Sequence, residues 1–546
     1  MNKNHLILFS AALLVGTTSA LAQSQAKDST LNRTVVVENE YNPQIMDANK
    51  INLLPDIEEP KPTKKQIEYA RTGQPFTAFR YGAMPAFGPK PVQPDTPRSY
   101  INLGYGNEGN VTGELNYLFD ISDRDRLNVN AAFDGFNYEL DDEKYKDRSL
   151  RFYQTQVKAG YAHRFATSEL EASASFGSQV FNYLPLYDTD KQRNTSADVR
   201  MHFRSTDPAQ AWQYAVKAGV RHFGRGYLYG MEESNSETNL LLKGGLSYSA
   251  DGTNRFGLDL DINQANFSFE DAENRGLISL TPYYRLTNDV MRLRLGVQAD
   301  ICTGFDNGFR IAPDITAEFP LADRYTFYVQ ATGGTLLNDF YRFNSLTPYW
   351  GGYAAYDQLA DTHVQLDALA GFKADLGENL WLNLYAGYEL RKDELGFYPY
   401  SPTDAGQTVS YTSFAQGKGN NLKLGLASTY QYKDIIDVSL DVNYRNWSTD
   451  DGHEAVLLDK PELDLRFDLG VHPLPRLNVN LGYQHRTYAE GDRNAMADLY
   501  AGADYRFFDF FSLWVKAANL TNSDHEYYPD YPAQGINFMI GTSFRF

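Results

Sequence analysis

The chain has 546 residues, of which 22% are charged and 14% aromatic, and its formal net charge is −19. This acidic balance argues against a nucleic-acid partner, and the single cysteine excludes a disulfide framework. A mean hydropathy of −0.49, with no apolar run of about 18 residues after the N-terminus, excludes a helical membrane protein. A large soluble β protein and a membrane β-barrel remain, because the lipid-facing residues of a barrel alternate with polar ones.

Residues 1–22 have the pattern of a secretory signal peptide. Lys3 gives a positive start, residues 6–16 form an apolar core, and a small-residue cleavage site ends at Ala22. The core is too short to span a bilayer, so cleavage before Gln23 is expected to leave no helical anchor. The sequence therefore predicts export, and a secreted soluble protein is the alternative to a membrane barrel.

The next segment, residues 23–98, carries much of the proline of the chain. Proline has no backbone N–H to donate to a sheet, so paired strands are not expected there. We interpret this stretch as an N-terminal proline-rich segment in the periplasm or the lumen of a barrel, and we place the start of the barrel at Ser99.

From Ser99 onward, apolar and polar residues alternate with a period of two. In residues 477–483, the apolar side chains of Leu477, Val479, Leu481 and Tyr483 share one face of a strand, while the two asparagines and the glycine between them share the other. Residues 291–301 alternate in the same way, with Arg292 and Arg294 on the polar face. One face suits lipid and the other suits water, as in a transmembrane β-barrel.

The alternating stretches predict 22 strands. They begin near residues 99, 110, 125, 150, 167, 193, 211, 236, 254, 276, 289, 308, 323, 361, 377, 420, 434, 462, 475, 496, 510 and 534. Short turns such as 123–124 and 433–434 alternate with long loops such as 335–360 and 391–419, which we assign to the periplasm and the outside, respectively. The predicted fold class is all-β: a transmembrane antiparallel barrel of about 22 strands over residues 99–546. A β-propeller would need a motif repeated in each blade, and we find none.

The end of the chain resembles TonB-dependent outer-membrane receptors. Residues 518–522 (ANLTN) form an N-L-x-(D/N) turn, residues 527–533 (YYPDYPA) a last loop rich in tyrosine and proline, and the chain ends in Phe at an aromatic strand. That strand is expected to guide insertion, and its apolar face includes Phe538, Ile540, Phe544 and Phe546. The resemblance implies a Gram-negative outer-membrane barrel, embedded in outer-membrane lipid, that takes part in nutrient uptake.

The resemblance also extends to a short apolar stretch near the start of the predicted mature chain. Thr34, Val35, Val36 and Val37 look like the box by which such receptors offer a strand to the energy-transducing protein TonB. A short strand that packs locally is the alternative. The family carries a plug domain of well over a hundred residues before the barrel, in place of which this chain has the 76 residues of the proline-rich segment. We therefore expect the plug to be absent or strongly reduced.

Two long predicted loops are rich in aromatic residues, and these are the candidate ligand-binding or partner-binding residues: Tyr341, Tyr349, Trp350, Tyr353 and Tyr356 in the first loop, and Tyr398 and Tyr400 in the second. Aromatic rings outside the bilayer stack on sugars or peptides, or pack against a partner protein. Packing of the loops on themselves is the alternative interpretation.

No motif for catalysis or for a bound cofactor is found. The sequence has no HExxH, CxxC, GxSxG or Gly-rich phosphate loop, and no two histidines have metal-ligand spacing. We therefore predict no metal, no cofactor and no enzymatic activity. The first functional hypothesis is nutrient uptake with the help of TonB, and the second is a non-transporting subunit that works with a surface lipoprotein or another outer-membrane complex. An outer-membrane enzyme is a distant third.

Overall fold

The computed structural model describes residues 99–140, 148–184, 191–226, 234–268, 273–304, 306–321, 324–351, 359–377, 379–401, 403–404, 407–408, 410–491 and 493–546. The predicted signal peptide and the proline-rich segment lie outside these ranges. The statements below concern the described residues.

Twenty-two strands form one antiparallel sheet. They are β1 (Ser99–Gly106), β2 (Val111–Asp120), β3 (Asp125–Glu139), β4 (Ser149–Arg164), β5 (Ser168–Phe181), β6 (Gln192–Ser205), β7 (Trp212–Arg225), β8 (Asn235–Tyr248), β9 (Asn254–Phe267), β10 (Arg275–Thr287), β11 (Arg292–Thr303), β12 (Gly308–Leu321), β13 (Tyr325–Leu336), β14 (Thr362–Asp375), β15 (Leu380–Lys392), β20 (Asn420–Tyr432), β21 (Ile436–Ser448), β22 (Pro461–Leu474), β23 (Leu477–Tyr488), β24 (Met496–Phe508), β25 (Phe511–Ala518) and β28 (Asn537–Arg545). Each begins within three residues of its predicted start, so the predicted count and order are confirmed.

The long connections contain the remaining elements. These are a short helix α1 (Phe340–Leu346), a 3-10 turn (Glu454–Val456), and the strands β16 (Glu394–Tyr400), β17 (Thr403–Asp404), β18 (Gln407–Thr408), β19 (Tyr411–Gly417), β26 (Glu526–Tyr528) and β27 (Tyr531–Pro532). β16 pairs with β19 as a hairpin, and the sequence pattern did not predict it. Among the described residues, no helix is long and apolar enough to cross a membrane.

The sheet closes on itself. Each barrel strand pairs with the preceding and following barrel strand, and β1 pairs with β28 from Tyr100 opposite Arg545 to Gly106 opposite Met539. Both end strands therefore satisfy their backbone groups within the sheet, which removes the open edge that a bilayer would not tolerate. The order of strands around the barrel follows the order in the chain, as it does in a meander.

The alternation seen in the sequence becomes an apolar exterior and a polar lumen. On β8, Leu240 and Leu246 on the exterior are 50% and 51% exposed, whereas Asn239 on the opposite face is buried. On β28, Phe538 and Ile540 lie on the exterior and Asn537 faces inward. An apolar surface on every side of a closed barrel is the surface that lipid chains contact, so this is a membrane-spanning barrel.

Tyrosines on the inner wall lie flat against glycines of the neighbouring strand. A Cβ atom added to Gly425 on β20 would lie 2.1 Å from the ring of Tyr385 on β15, and one added to Gly257 on β9 would lie 2.2 Å from the ring of Tyr283 on β10. The Tyr385 hydroxyl also donates to Asn443 Oδ1 at 2.5 Å, one strand further on. Glycine is required at these positions because any side chain would displace the ring.

The two ends of the barrel differ in their connections. At one end the strands join through turns such as 165–167 and 475–476, and both Ser99 and Phe546 lie there, joined by backbone hydrogen bonds of 2.9 and 3.0 Å. At the other end lie the long loops, and several strands extend far toward them: β4 has 16 residues, more than the nine to eleven or so that a bilayer crossing needs. The candidate site lies at this long-loop end.

Candidate functional site

At the long-loop end of the barrel, three connections pack together through an aromatic cluster. We call these connections, the described residues of 337–361, 393–419 and 519–536, the loop lid. The lid packs on inward-facing rings of β3, β4 and β5 such as Phe136, Phe152 and Phe181. Its own fully or almost fully buried members are Phe340, Phe343, Tyr349, Trp350, Leu359, Leu395, Phe397, Phe414, Tyr527, Tyr528 and Tyr531. Residues far apart in the sequence therefore share one hydrophobic core at this end of the barrel.

Helix α1 fixes the first connection to the wall. Asp339 caps the helix, since its Oδ1 accepts from the Arg342 N–H at 2.7 Å. The other oxygen, Oδ2, accepts from the Arg221 guanidinium and the Asn239 amide, both at 2.7 Å. Glu237 accepts from the Phe340 N–H at 2.5 Å. Side chains of β7 and β8 thus hold the start of a helix that begins after β13.

A second polar contact fixes the middle of α1. The Asn344 side chain accepts from Asn194 on β6 at 2.8 Å and donates to Gln179 on β5 at 3.0 Å. All three side chains are buried, so these hydrogen bonds satisfy groups that water cannot reach. The connection that follows β13 therefore reaches β5 and β6, which are not neighbours of β13 in the barrel.

Trp350 is the point at which the first connection meets β7. The Arg225 guanidinium lies 3.6 Å from the centroid of the indole ring, and it donates to the Trp350 carbonyl oxygen at 2.5 Å. The Tyr183 hydroxyl donates to the same carbonyl at 2.8 Å. Arg225 and Trp350 are both buried, and a cation against an indole face is most stabilising when water is excluded.

The three connections also bind one another. Tyr349 stacks on Tyr531 with ring centroids 3.6 Å apart, and the Thr412 N–H donates to the Tyr349 carbonyl at 2.9 Å. The Tyr531 hydroxyl donates to the Ser410 carbonyl at 2.8 Å. The Tyr138 hydroxyl on β3 donates to the Pro532 carbonyl. The lid is therefore one packed layer, tied to the wall on several sides.

A buried charged group supports the β16–β19 hairpin. Glu394 accepts from Lys460 at 2.7 Å and from Arg391 at 3.0 Å. Burial alone would raise the pKa of Glu394, but the two cations hold it well below its usual range. Asp459, beside Lys460, lies 3.3 Å from the Phe397 N–H, and burial raises its pKa to about 6. Two neighbouring carboxyl groups beside the β16–β19 hairpin thus have pKa values shifted in opposite directions.

The structure separates the predicted ligand residues into buried and accessible ones. Tyr349 and Trp350 are fully buried in the lid, Tyr341 and Tyr398 are half-buried, and Tyr400 is 46% exposed. Tyr353 and Tyr356, like Thr34 to Val37, lie outside the described residues. The ligand-binding role stays a prediction. In this conformation, Tyr400 is the most accessible of the described candidates, and it lies 5.4 Å from the Tyr411 ring.

The four apolar residues assigned to the insertion strand, Phe538, Ile540, Phe544 and Phe546, are exposed on the exterior. Their role in insertion remains a prediction.

Sequence reasoning missed the wall residues that hold the lid, Arg221, Arg225, Glu237 and Asn239, because each follows the ordinary polar alternation of its strand. The one local signal was Asp339, an aspartate directly before an aromatic-rich stretch, which is a helix N-cap pattern.

No protein-family model matches the sequence, and no curated protein matches it either. The structure is similar to solved outer-membrane receptors. It matches the ferric-catecholate import receptor Fiu of E. coli K12 with a TM-score of 0.61 at 11% identity, over 83% of this chain and 82% of that one. The FrpB iron transporter of Neisseria meningitidis gives 0.65 at 10% identity over the same shares of the chains. The copper transporter OprC gives 0.59 at 14% identity, over 84% of this chain and 81% of that one.

The barrel has the fold of TonB-dependent receptors. The predicted fold class is thereby confirmed, and the fold is that of Gram-negative outer-membrane barrels. The similar structures are transport receptors rather than enzymes. Among the described residues of this receptor-like barrel, no group of three or more His, Cys, Asp or Glu side chains is arranged to hold a metal ion.

Proposed function

We propose that the protein takes up a nutrient across the outer membrane, with the loop lid as the outer gate of the barrel. The observation that carries the proposal is a closed 22-stranded barrel of receptor fold whose outer connections pack into one aromatic layer. A barrel of this size encloses a wide lumen. A barrel that had only to span the membrane would not need such a layer, whereas one that admits a selected solute must close between events.

The similar structures indicate the kind of cargo. Fiu is a ferric-catecholate import receptor, FrpB is an iron transporter and OprC is a copper transporter. We infer a metal complex or a nutrient of similar size for this chain. Capture would begin at the exposed rings of the β16–β19 hairpin, such as Tyr400. The cation–π and N-cap contacts of the first connection would then have to break for entry.

Energy would enter from the periplasmic end. Thr34 to Val37 would pair with TonB by strand addition, which needs only an extended segment with free backbone groups. The 76 residues before Ser99 would act as a reduced plug and as the arm that carries this segment. Ser99 lies at the short-turn end of the barrel, so the arm would leave from the side on which TonB works.

Two features favour a second function. A proline-rich segment stands where the family has a folded plug, and the described outer connections form a lid with a well-packed core. Both features suit a barrel that does not transport but serves as a subunit of an outer-membrane assembly, secretion or surface complex. In that case the N-terminal segment would dock a partner.

Deleting residues 32–40 separates the two functions. Cells would carry either the intact protein or the deletion variant as their sole receptor of this kind, and growth would be measured with ferric catecholate or copper as the limiting nutrient. Loss of growth at unchanged amounts of barrel in the membrane supports uptake. Unchanged growth together with loss of a co-purifying protein contradicts uptake and supports the subunit function.

A second measurement tests the gate directly. Ion conductance in a planar bilayer is compared for the wild type and for Arg225→Met, which keeps the bulk of the side chain but loses the hydrogen bond and the cation–π contact with Trp350. We expect more frequent opening in the variant. Lys418→Met is the control, since Lys418 forms only an exposed ion pair with Asp450, at 3.0 Å. Equal conductance in all three proteins would contradict a gating role for the lid.

A further inference from the structure

Three arginines lie side by side on the inner wall, at the end of the barrel opposite the lid. Arg285 on β10 is directly opposite Arg255 on β9 and also directly opposite Arg294 on β11. Arg255 is the second residue of its strand, and Arg285 is the third from the end of its own, so the row lies close to the short turns. We call these three residues the arginine row.

The row faces the lumen. Phe256 and Leu258, which alternate with Arg255 along β9, are 63% and 44% exposed on the exterior. Arg294 is buried against the inner wall, where its guanidinium lies 3.7 Å from the centroid of the Tyr283 ring. The same tyrosine ring fills the space above Gly257. Tyr283 thus supports the row from beneath and keeps Arg294 in a fixed orientation.

Only one arginine of the row is neutralised by carboxylates of the wall. Arg294 donates to Asp314 at 2.6 Å and to Asp259 at 2.9 Å. Arg255 donates to the Ser247 hydroxyl at 3.1 Å, and Arg285 lies 5.5 Å from the Tyr283 ring centroid. Neither Arg255 nor Arg285 forms an ion pair with a carboxylate in the part of the chain that the structure describes. Both are half-buried, so water and small solutes in the lumen reach them.

This arrangement is unfavourable for the barrel alone. Like charges directly opposite each other on adjacent strands destabilise a sheet. A nearby lumenal cation is neutralised: Lys243 on β8 lies 2.5 Å from Asp261 on the next strand. An arginine also presents a planar fork of N–H donors that fits the oxygens of a carboxylate or a phosphate.

We propose that the arginine row is a binding site for an oxyanion in the lumen, in which Arg255 and Arg285 contact a phosphate or carboxylate group, while Arg294, held by Asp314, Asp259 and Tyr283, completes the row. The site would favour nutrients, or metal complexes of them, that carry such a group. This use rests on the proposed function, whereas the binding itself does not depend on transport.

Equilibrium dialysis of the purified full chain tests the site. Labelled inorganic phosphate and labelled citrate are the two probes, at low ionic strength and constant chloride, because exposed charges are screened by salt. We expect at least one probe to bind the wild type, with an affinity at least tenfold lower in the double variant Arg255→Gln/Arg285→Gln. Binding of phosphate alone, or of citrate alone, identifies the class of oxyanion.

Arg126→Gln is the matched control, since Arg126 also lies on a barrel strand close to the short turns but has Asp120 at 3.7 Å. It should bind as the wild type does. Thermal unfolding of Arg285→Gln without added oxyanion gives an independent measurement. Since the substitution removes a repulsion between like charges, the unfolding temperature should stay the same or rise. Absence of binding to the wild type, equal binding by the double variant, or a lower unfolding temperature for Arg285→Gln would overturn the proposal. None of these results depends on whether the protein transports anything.

Discussion

The wall of the barrel and the loop lid are built by different kinds of contact. In the wall, every strand pairs with the barrel strands before and after it, and the apolar side chains of the exterior are exposed on the surface that faces the bilayer. In the lid, buried rings from the connections after β13, β15 and β25 meet rings of β3 to β5, and partners such as Tyr138 and Pro532 are 394 residues apart. The lid is therefore the only region of the described chain that resembles the core of a soluble protein.

This difference predicts how each region fails. The wall depends on repeated backbone pairing and on close contacts between neighbouring strands, so damage to it should prevent assembly. The lid depends on a small number of buried side chains, so damage to it should open the lid and leave the barrel assembled. Four measurements test this contrast, in order of decreasing expected effect.

The largest effect is expected from Gly425→Val in the wall. The new Cβ would lie 2.1 Å from the Tyr385 ring, which its hydrogen bond to Asn443 holds in place. Overpacking of this kind costs about 3 kcal/mol, and a ring fixed in a sheet has little room to move. The amount of heat-modifiable barrel in the membrane should fall severalfold. Gly244→Val is the control, because nothing lies within 4 Å of a Cβ there; equal losses in both variants would contradict the steric explanation.

Trp350→Ala should open the lid without unfolding the barrel. Removing a fully buried indole leaves a cavity and typically costs about 3 to 5 kcal/mol, and here Arg225 also loses its aromatic partner. Hydrogen exchange should accelerate in residues 337–351 and 410–417, whereas exchange in the β-strands of the wall should stay slow. If the strands exchange faster as well, the lid and the wall form one cooperative unit and the contrast fails.

Asp339→Ala should weaken one attachment of the lid by about 2 kcal/mol or more. The variant loses the N-cap of α1 and leaves Arg221 and Asn239 without their shared acceptor. Protease cleavage within the connection 337–361 is the measurement, and it should become faster. Asp450→Ala removes an exposed carboxylate from the pair with Lys418, which is worth well under about 1 kcal/mol, and its cleavage rate should match that of the wild type.

The smallest effect concerns pH. Burial raises the pKa of Asp459 to about 6, above its ordinary value of 3.8, so Asp459 holds a proton while the β16–β19 hairpin packs on it and releases that proton between these pH values when the hairpin opens. The stability of the hairpin packed on Asp459 should therefore fall as pH rises from about 4 to 6, by roughly 3 kcal/mol at most, and then level off. Asp459→Asn should remove this dependence in hydrogen exchange of residues 394–400. An unchanged pH profile in the variant would assign the dependence to another group.

Glu394 contributes in the opposite sense. Its pKa is held below the ordinary value, so the stability that it contributes is present above about pH 4.5 and is lost as the solution becomes more acidic. Lys460 contacts Glu394 directly, at 2.7 Å, and lies 3.9 Å from Asp459. A substitution of Lys460 would change both carboxyl groups at once. The Asp459→Asn variant should therefore be used to separate the pH effect of Asp459 from that of Glu394.

The sequence by itself determined the wall. Side chains on a strand point alternately to either face, so the local order of residues such as Leu477, Asn478 and Val479 already assigns lipid and lumen, and turn lengths assign the two ends. Tertiary structure alone decided the lid. Whether Tyr349 and Trp350 would bind a ligand or pack against Tyr531 and Arg225 depends on which loops meet across the barrel, and no period of the sequence encodes that. The arginine row was hidden for the same reason, because only the register of β9, β10 and β11 places Arg255, Arg285 and Arg294 side by side.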